Sequence, residues 1–155
     1  MKWTERNISH ALARYFFGNQ NIVLVPNCTW TGNECDLLVV TQDLKIIDVE
    51  VKISVSDFKN DILKEKWWES YTLNESTGRY QRVNPPQKRS HPVKVWKHYY
   101  AMPKEIWKPE LVEFMPSENC GVILLSVQRN KIVAELHRRA IPNRKADVIS
   151  AHDAI

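Results

Sequence analysis

Between residues 44 and 53 apolar and charged positions alternate, with Ile47, Val49, Val51 and Ile53 interleaved with Asp48, Glu50 and Lys52. Successive side chains of a strand point to opposite faces, so this run predicts a β-strand with one greasy face and one charged face. Residues 22–25 before Pro26 and the apolar run 35–41 predict two earlier strands, and Gln42-Asp43 turns the second into the charged one. Ahead of them, Ile8, Leu12, Tyr15 and Phe16 share one side of a helix that Thr4 caps and that stops at Gly18-Asn19.

Ser54 and Ser56 precede a second predicted helix over residues 57–68, acidic at its start and basic toward its end, as the helix dipole favours. Residues 69–92 show no period and contain Gly78, Pro85, Pro86 and Pro92, which predicts a long loop. A strand over 95–102, a helical turn or two over 103–111, and a hairpin of strands 121–127 and 132–136 across Arg129-Asn130 complete the order. Without repeats or a long linker, residues 1–155 are expected to form one α/β domain.

Composition narrows the class. The chain has 155 residues, 43% hydrophobic and 26% charged, which is normal for a globular domain that needs no staples. No run approaches the roughly 20 apolar residues of a membrane span, and charges interrupt residues 1–17 too often for a secretory signal. A cytoplasmic protein without membrane partners is expected. Cys28, Cys35 and Cys120 lack the close pairs of structural zinc sites, and no two of the five histidines stand at helical ligand spacing. A bound metal would therefore have oxygen ligands.

Charge is distributed unevenly around a net +4: ten acids against five bases between Glu34 and Glu75, then eight bases against Glu105 alone between Arg79 and Lys108. An antiparallel turn at Gln42-Asp43 can bring Asp36 beside Glu50. Two such carboxylates repel each other, and a divalent cation relieves the repulsion. Mg²⁺ suits two carboxylates, a carbonyl such as that of Val51, and several waters. Lys52, two residues from Glu50, shares its face and can stabilise an attacking hydroxide or charge developing on phosphorus. Asp48 reads as a carboxylate that either backs the metal ligands from behind or stands at the rim, and the competing reading of this whole face is a solvated strand surface.

Asp36, Glu50 and Lys52, the preceding segment Gly32-Asn33-Glu34-Cys35-Asp36-Leu37-Leu38-Val39-Val40, and the order of elements resemble the PD-(D/E)xK, or restriction-endonuclease-like, nuclease superfamily. Residues 98–103 and 121–125 also look like the closing strands of its small bacterial and phage members, among them resolvase-like and DNA-repair-associated ones. Cys35 stands where the motif often has proline. The resemblance implies an αβββαβ core, a mixed central sheet flanked by helices, and a Mg²⁺-dependent phosphodiesterase, Mn²⁺ being able to substitute, in which Asp36 and Glu50 hold the metal and Lys52 assists the water. Several branches add an acid from the first helix, where Glu5 is the candidate.

DNA is the expected substrate. Cations interleave with Tyr80, Trp96, Tyr99, Tyr100 and Trp107 after residue 79, a mixture that contacts phosphates and stacks on unpaired bases, although core packing accounts for about half of these aromatics. Arg79, Arg82, Lys88, Arg89 and Lys97 are the candidate backbone contacts, with Lys59 and Lys66 reaching from the second helix and Trp67 and Trp68 packing or lining a groove wall. Arg129, Lys131, Arg138, Arg139, Arg144 and Lys145 form a further basic cluster that extends the groove or solubilises the tail. The expectation is an endodeoxyribonuclease, possible as a homodimer. A catalytically silent DNA-binding protein on the same fold and an RNA-directed hydrolase are the alternatives.

Overall fold

The first helix forms because its end is closed on itself. Thr4 Oγ1 accepts the Asn7 N–H at 3.1 Å, and Asn7 Oδ1 accepts the Thr4 N–H at 3.0 Å, a reciprocal cap over α1 (Glu5–Ala11). A π-helical turn, Leu12–Phe16, continues it. The structure is a computed structural model that describes residues 1–30, 32–146 and 148, with the backbone alone of Val23; His152 lies outside them. Among these residues no helix is long and apolar enough to cross a membrane.

Strands β1 (Asn21–Trp30), β2 (Asn33–Thr41) and β3 (Ile46–Val51) form an antiparallel meander. The helix α2 (Val55–Asn60) follows under a Ser54 cap, then β4 (Trp68–Asn74), β5 (Arg79–Lys88), β6 (Lys97–Pro103), β7 (Gly121–Gln128) and β8 (Lys131–Arg138). Six strands make one mixed sheet in the order β1-β2-β3-β6-β7-β8, and β4 with β5 makes a separate two-stranded ribbon. β6 lies parallel to β3 and to β7, while β8 returns antiparallel. The β7–β8 turn has Arg129 at φ 50° and Asn130 at φ 64°, the left-handed pair that a two-residue hairpin requires.

The mixed α/β architecture agrees with the sequence, and two expectations are corrected. First, residues 57–68 are not one helix: α2 ends at Asn60, short 3₁₀ turns occupy Asp61–Leu63 and Glu65–Trp67, and Lys64 between them is extended. Phe58, Asp61, Lys66 and Trp67 are all buried. On one helix Asp61 and Lys66 would stand about 140° apart, so no single face could bury all four. Second, residues 69–92 are largely the β4–β5 ribbon rather than a loop. Both of its faces meet solvent over most of its length, so it carries no apolar alternation to read.

Alternation across the main sheet sorts the core. Leu37, Val39, Val49, Val51, Ala101, Ile123 and Leu125 pack against Ile8, Ala11 and Leu12 of the first helical segment. On the other face Tyr100, Met102, Val122 and Leu124 pack against Phe58, Trp67, Leu111 and Met115. Each large side chain buried this way contributes about 1.5–3 kcal/mol. Gly121 pairs with Tyr99, and a Cβ there would lie 2.4 Å from the Tyr99 ring and 2.8 Å from the Ala140 backbone nitrogen. Gly121→Ala should therefore lower unfolding free energy by about 1–3 kcal/mol through overpacking, read as a reduced urea midpoint with unchanged slope.

Candidate metal-binding cavity and its ionic floor

Every residue of β3 is buried, including Asp48 and Glu50, and Lys52 just beyond it is buried too. The charged face predicted from sequence therefore exists, but it is covered. Segment 61–67 brings the counter-charges. Lys66 Nζ contacts Glu50 Oε1 and lies 3.1 Å from Asp48 Oδ2, and Lys64 Nζ lies 2.9 Å from Glu50 Oε2 and 3.1 Å from Asp61 Oδ1. Lys52 Nζ is 2.8 Å from Asp61 Oδ1 and 3.7 Å from both Glu50 and Asp57.

Histidine, tryptophan and tyrosine side chains complete this floor. Asp48 Oδ2 is also 3.1 Å from His98 Nδ1 on β6, its partner in the β3–β6 register. Asp61 Oδ2 accepts from Trp67 Nε1 at 3.2 Å and from the Tyr100 hydroxyl. Burial alone would favour the neutral acids, but Lys66 and His98 at Asp48, and Lys52 with its neighbours at Asp61, outweigh it and hold both carboxyls well below the usual range. Burial likewise opposes charge on Lys64 and Lys66, and the carboxylates overcome it, raising both lysines.

Above the floor lies a polar cavity of about 140 Å³ lined by Glu5, Glu34, Asp36, Glu50, Val51, Lys52, Asp57 and Lys64. The β2–β3 ladder runs as far as Leu37–Val49, and beyond it the Asp36 carboxylate takes the Val51 N–H at 2.7 Å. Asp36 behaves unlike Asp48 and Asp61. Burial, then the Glu50 charge, push its carboxyl up to about 7, with Glu5 adding to the effect and the Val51 N–H and Lys52 opposing it. An acid so placed lacks enough positive charge nearby, which suits a cation, and the cavity has room for an ion with a few waters. Among the described residues, no group of three or more His, Cys, Asp or Glu side chains stands as it would around a metal. The fit therefore rests on the Asp36 and Glu50 pair, the smaller carboxylate set that Mg²⁺ accepts.

Asp36, Glu50, Val51, Lys52 and the α1 acid Glu5 thus share one cavity. Of the two places expected for Asp48 the rim is excluded: it is buried and backs Glu50 through their shared Lys66. Lys66 is buried on two carboxylates instead of facing a groove, and Trp67 is core. Lys59 lies over the Phe114 ring at 4.2 Å and Lys97 over Trp96 at 4.4 Å. Arg79, Arg82 and Lys88 are exposed on β5, with Arg89 half-buried just after it. Of the predicted stacking aromatics Tyr99 and Tyr100 are core, while Tyr80 is exposed. Sequence reading missed Asp61 and Lys64, whose roles arise only where the helix breaks, and Asp57 and Glu34, which carry no pattern signal.

No protein-family model matches the chain, and no curated protein matches it. Among solved structures, a protein of unknown function from Silicibacter pomeroyi has a similar fold, with a TM-score of 0.58 at 15% sequence identity over 98% of this chain and 79% of that one. The likeness is one of fold.

Two stability measurements check the site. Lys66→Met strips the buried Asp48 and Glu50 of their shared cation and should cost about 3–5 kcal/mol, whereas Lys104→Met, which breaks the exposed pair with Glu135, should cost less than about 1 kcal/mol in the same denaturation assay. Because the folded state binds the Asp36 proton more tightly than the unfolded chain, its contribution to stability is fully present below about pH 4 and is lost as pH rises through about 7. Metal-free wild type should therefore lose stability relative to Asp36→Asn between pH 4 and 8, and parallel profiles would contradict the assignment.

Proposed function

We propose that the protein is a Mg²⁺-dependent nuclease on a restriction-endonuclease-like core, hydrolysing DNA phosphodiester bonds by activated water. The observation that carries this reading is the convergence of Asp36, Glu50, Lys52 and Glu5 on one small polar cavity, where Asp36 is left short of positive charge. The chain order of α1, three antiparallel strands and α2, with β6 returning parallel to β3, supports the same core. Asp36 and Glu50 would hold the ion, with the Val51 carbonyl and Glu5 as further oxygen donors. When bound, the ion supplies Lewis acidity for a phosphoryl oxygen and a lowered pKa for water.

The chain's own residues do the rest. Lys52, fixed by Asp61, keeps its ammonium at the cavity wall, where it favours hydroxide and the charge developing on the phosphoryl oxygens. Arg79, Arg82 and Lys88 neutralise phosphates beyond the scissile one. A second reading, a DNA-binding protein without turnover, is favoured by one observation: both Glu50 oxygens are already engaged by lysines.

Incubation with supercoiled, linear and single-stranded DNA and with RNA, in Mg²⁺, Mn²⁺ or EDTA, separates these readings. The expected result is cleavage of DNA in Mg²⁺ and Mn²⁺ and none in EDTA, reduced at least about a hundredfold in Asp36→Ala and Lys52→Met. Absence of cleavage in Mn²⁺, or variants as active as wild type, would overturn the nuclease reading. DNA binding that persists without cleavage would support the second.

A further inference from the structure

The β4–β5 ribbon presents two faces of different chemistry. Tyr71 pairs with Arg82 and Leu73 with Tyr80, and residues paired across a ladder share a face with those two positions along, so Tyr71, Leu73, Tyr80 and Arg82 stand together. The opposite face carries Thr72, Asn74, Arg79 and Gln81, which are polar. Tyr71, Leu73 and Tyr80 are 60%, 49% and 74% exposed, far more than aromatic and leucine side chains whose task is packing.

The ribbon is anchored at the cavity. Its first pair, Trp68 with Lys88, follows directly on Trp67, the Trp67 carbonyl accepts the Arg89 N–H at 2.7 Å, and Lys66 one residue earlier grips Glu50. Seven strand residues carry the ribbon about 23 Å from that root. Along it Arg79, Arg82, Lys88 and Arg89 stand against Glu69 and Glu75, so a polyanion is the occupant its charge favours.

Resting on the nuclease reading, we propose that this face is a stacking platform for an unpaired strand, so that the substrate is DNA with a single-stranded or splayed stretch beside the scissile phosphate. The chemistry separates the two forms of DNA. Base edges in a duplex groove call for hydrogen-bonding side chains, and an aromatic and aliphatic row offers few. Unstacked bases present π-faces to which tyrosines bind whatever the sequence, while Arg82 and its neighbours hold the backbone.

The test is fluorescence anisotropy in EDTA, so that no cleavage intervenes, with a labelled mixed-sequence 20-nucleotide single strand and the matching duplex. Wild type should bind the single strand more tightly. Tyr71→Ala with Tyr80→Ala should weaken single-strand binding about tenfold or more and duplex binding less than twofold, with Tyr71→Phe and Tyr80→Phe staying near wild type because the rings remain. Among the described residues the strands of the ribbon pair only with each other, and the phenylalanine variants keep the test decisive should the alanine pair disturb it. Equal losses on both DNA forms, no loss in the alanine pair, or phenylalanine variants as weak as alanine would overturn the platform and leave the nuclease reading standing. Binding to neither form would overturn the platform, and the nuclease reading would stand or fall on the cleavage assay.

Discussion

Asp48, Glu50 and Lys52 project from one face of a strand that is buried end to end, and the surrounding structure is arranged to neutralise them. Carboxylates in that position are tolerable only if cations and hydrogen-bonding groups are brought to them. Lys64 and Lys66 arrive from one segment, and His98 from the neighbouring strand. Lys52, itself buried, needs Asp61. The break in the helix after Asn60 is the geometric consequence, since a regular helix cannot deliver Asp61 and Lys66 to the same sheet face. The ionic floor and the path of residues 61–67 are one solution to one constraint.

That floor divides carboxyl groups of the same kind into two behaviours. Asp48 and Asp61, surrounded by lysines, a histidine and hydroxyl or indole donors, stay ionised. Asp36, at the wet end of the same charged face, receives one backbone N–H and faces Glu50. Positive charge is plentiful a few ångströms below and short at the opening. Glu50 belongs to both regions, since its two oxygens answer to lysines of the floor while its charge is felt by Asp36.

The elements most legible in the sequence were those with a buried face. The Thr4 cap, the alternation through β3, the apolar run of β2 and the Arg129-Asn130 hairpin each leave a local trace, and so does the juxtaposition of Asp36, Glu50 and Lys52 across a short turn. What stayed hidden was set by tertiary demand. Residues 55–60 carry good helix signals, but nothing local says that Lys64 must turn extended so that Lys66 can reach Glu50. Arg79 to Lys88 pair in a ribbon whose exposed strands lack the apolar period that betrays a strand, and Pro85 and Pro86 argue against one unless it lies at an edge, as it does here. Lys66 looked like a groove cation because a lysine's destination depends on where its partners fold.

The parallel pairing of β3 with β6 has a consequence of a different kind. Parallel neighbours cannot be joined by a tight turn, so the chain must leave the sheet and come back. Residues 52–96 are that excursion, and the β4–β5 ribbon is its outermost part, contributing no strand to the main sheet. Lengthening such a connection adds only about 0.6 kcal/mol of closure entropy per doubling. The length of the ribbon is thus set apart from the register of the sheet: an arm longer or shorter beyond Trp68 leaves the pairing of β3 with β6, and with it the placement of Asp36, Glu50 and Lys52, unchanged.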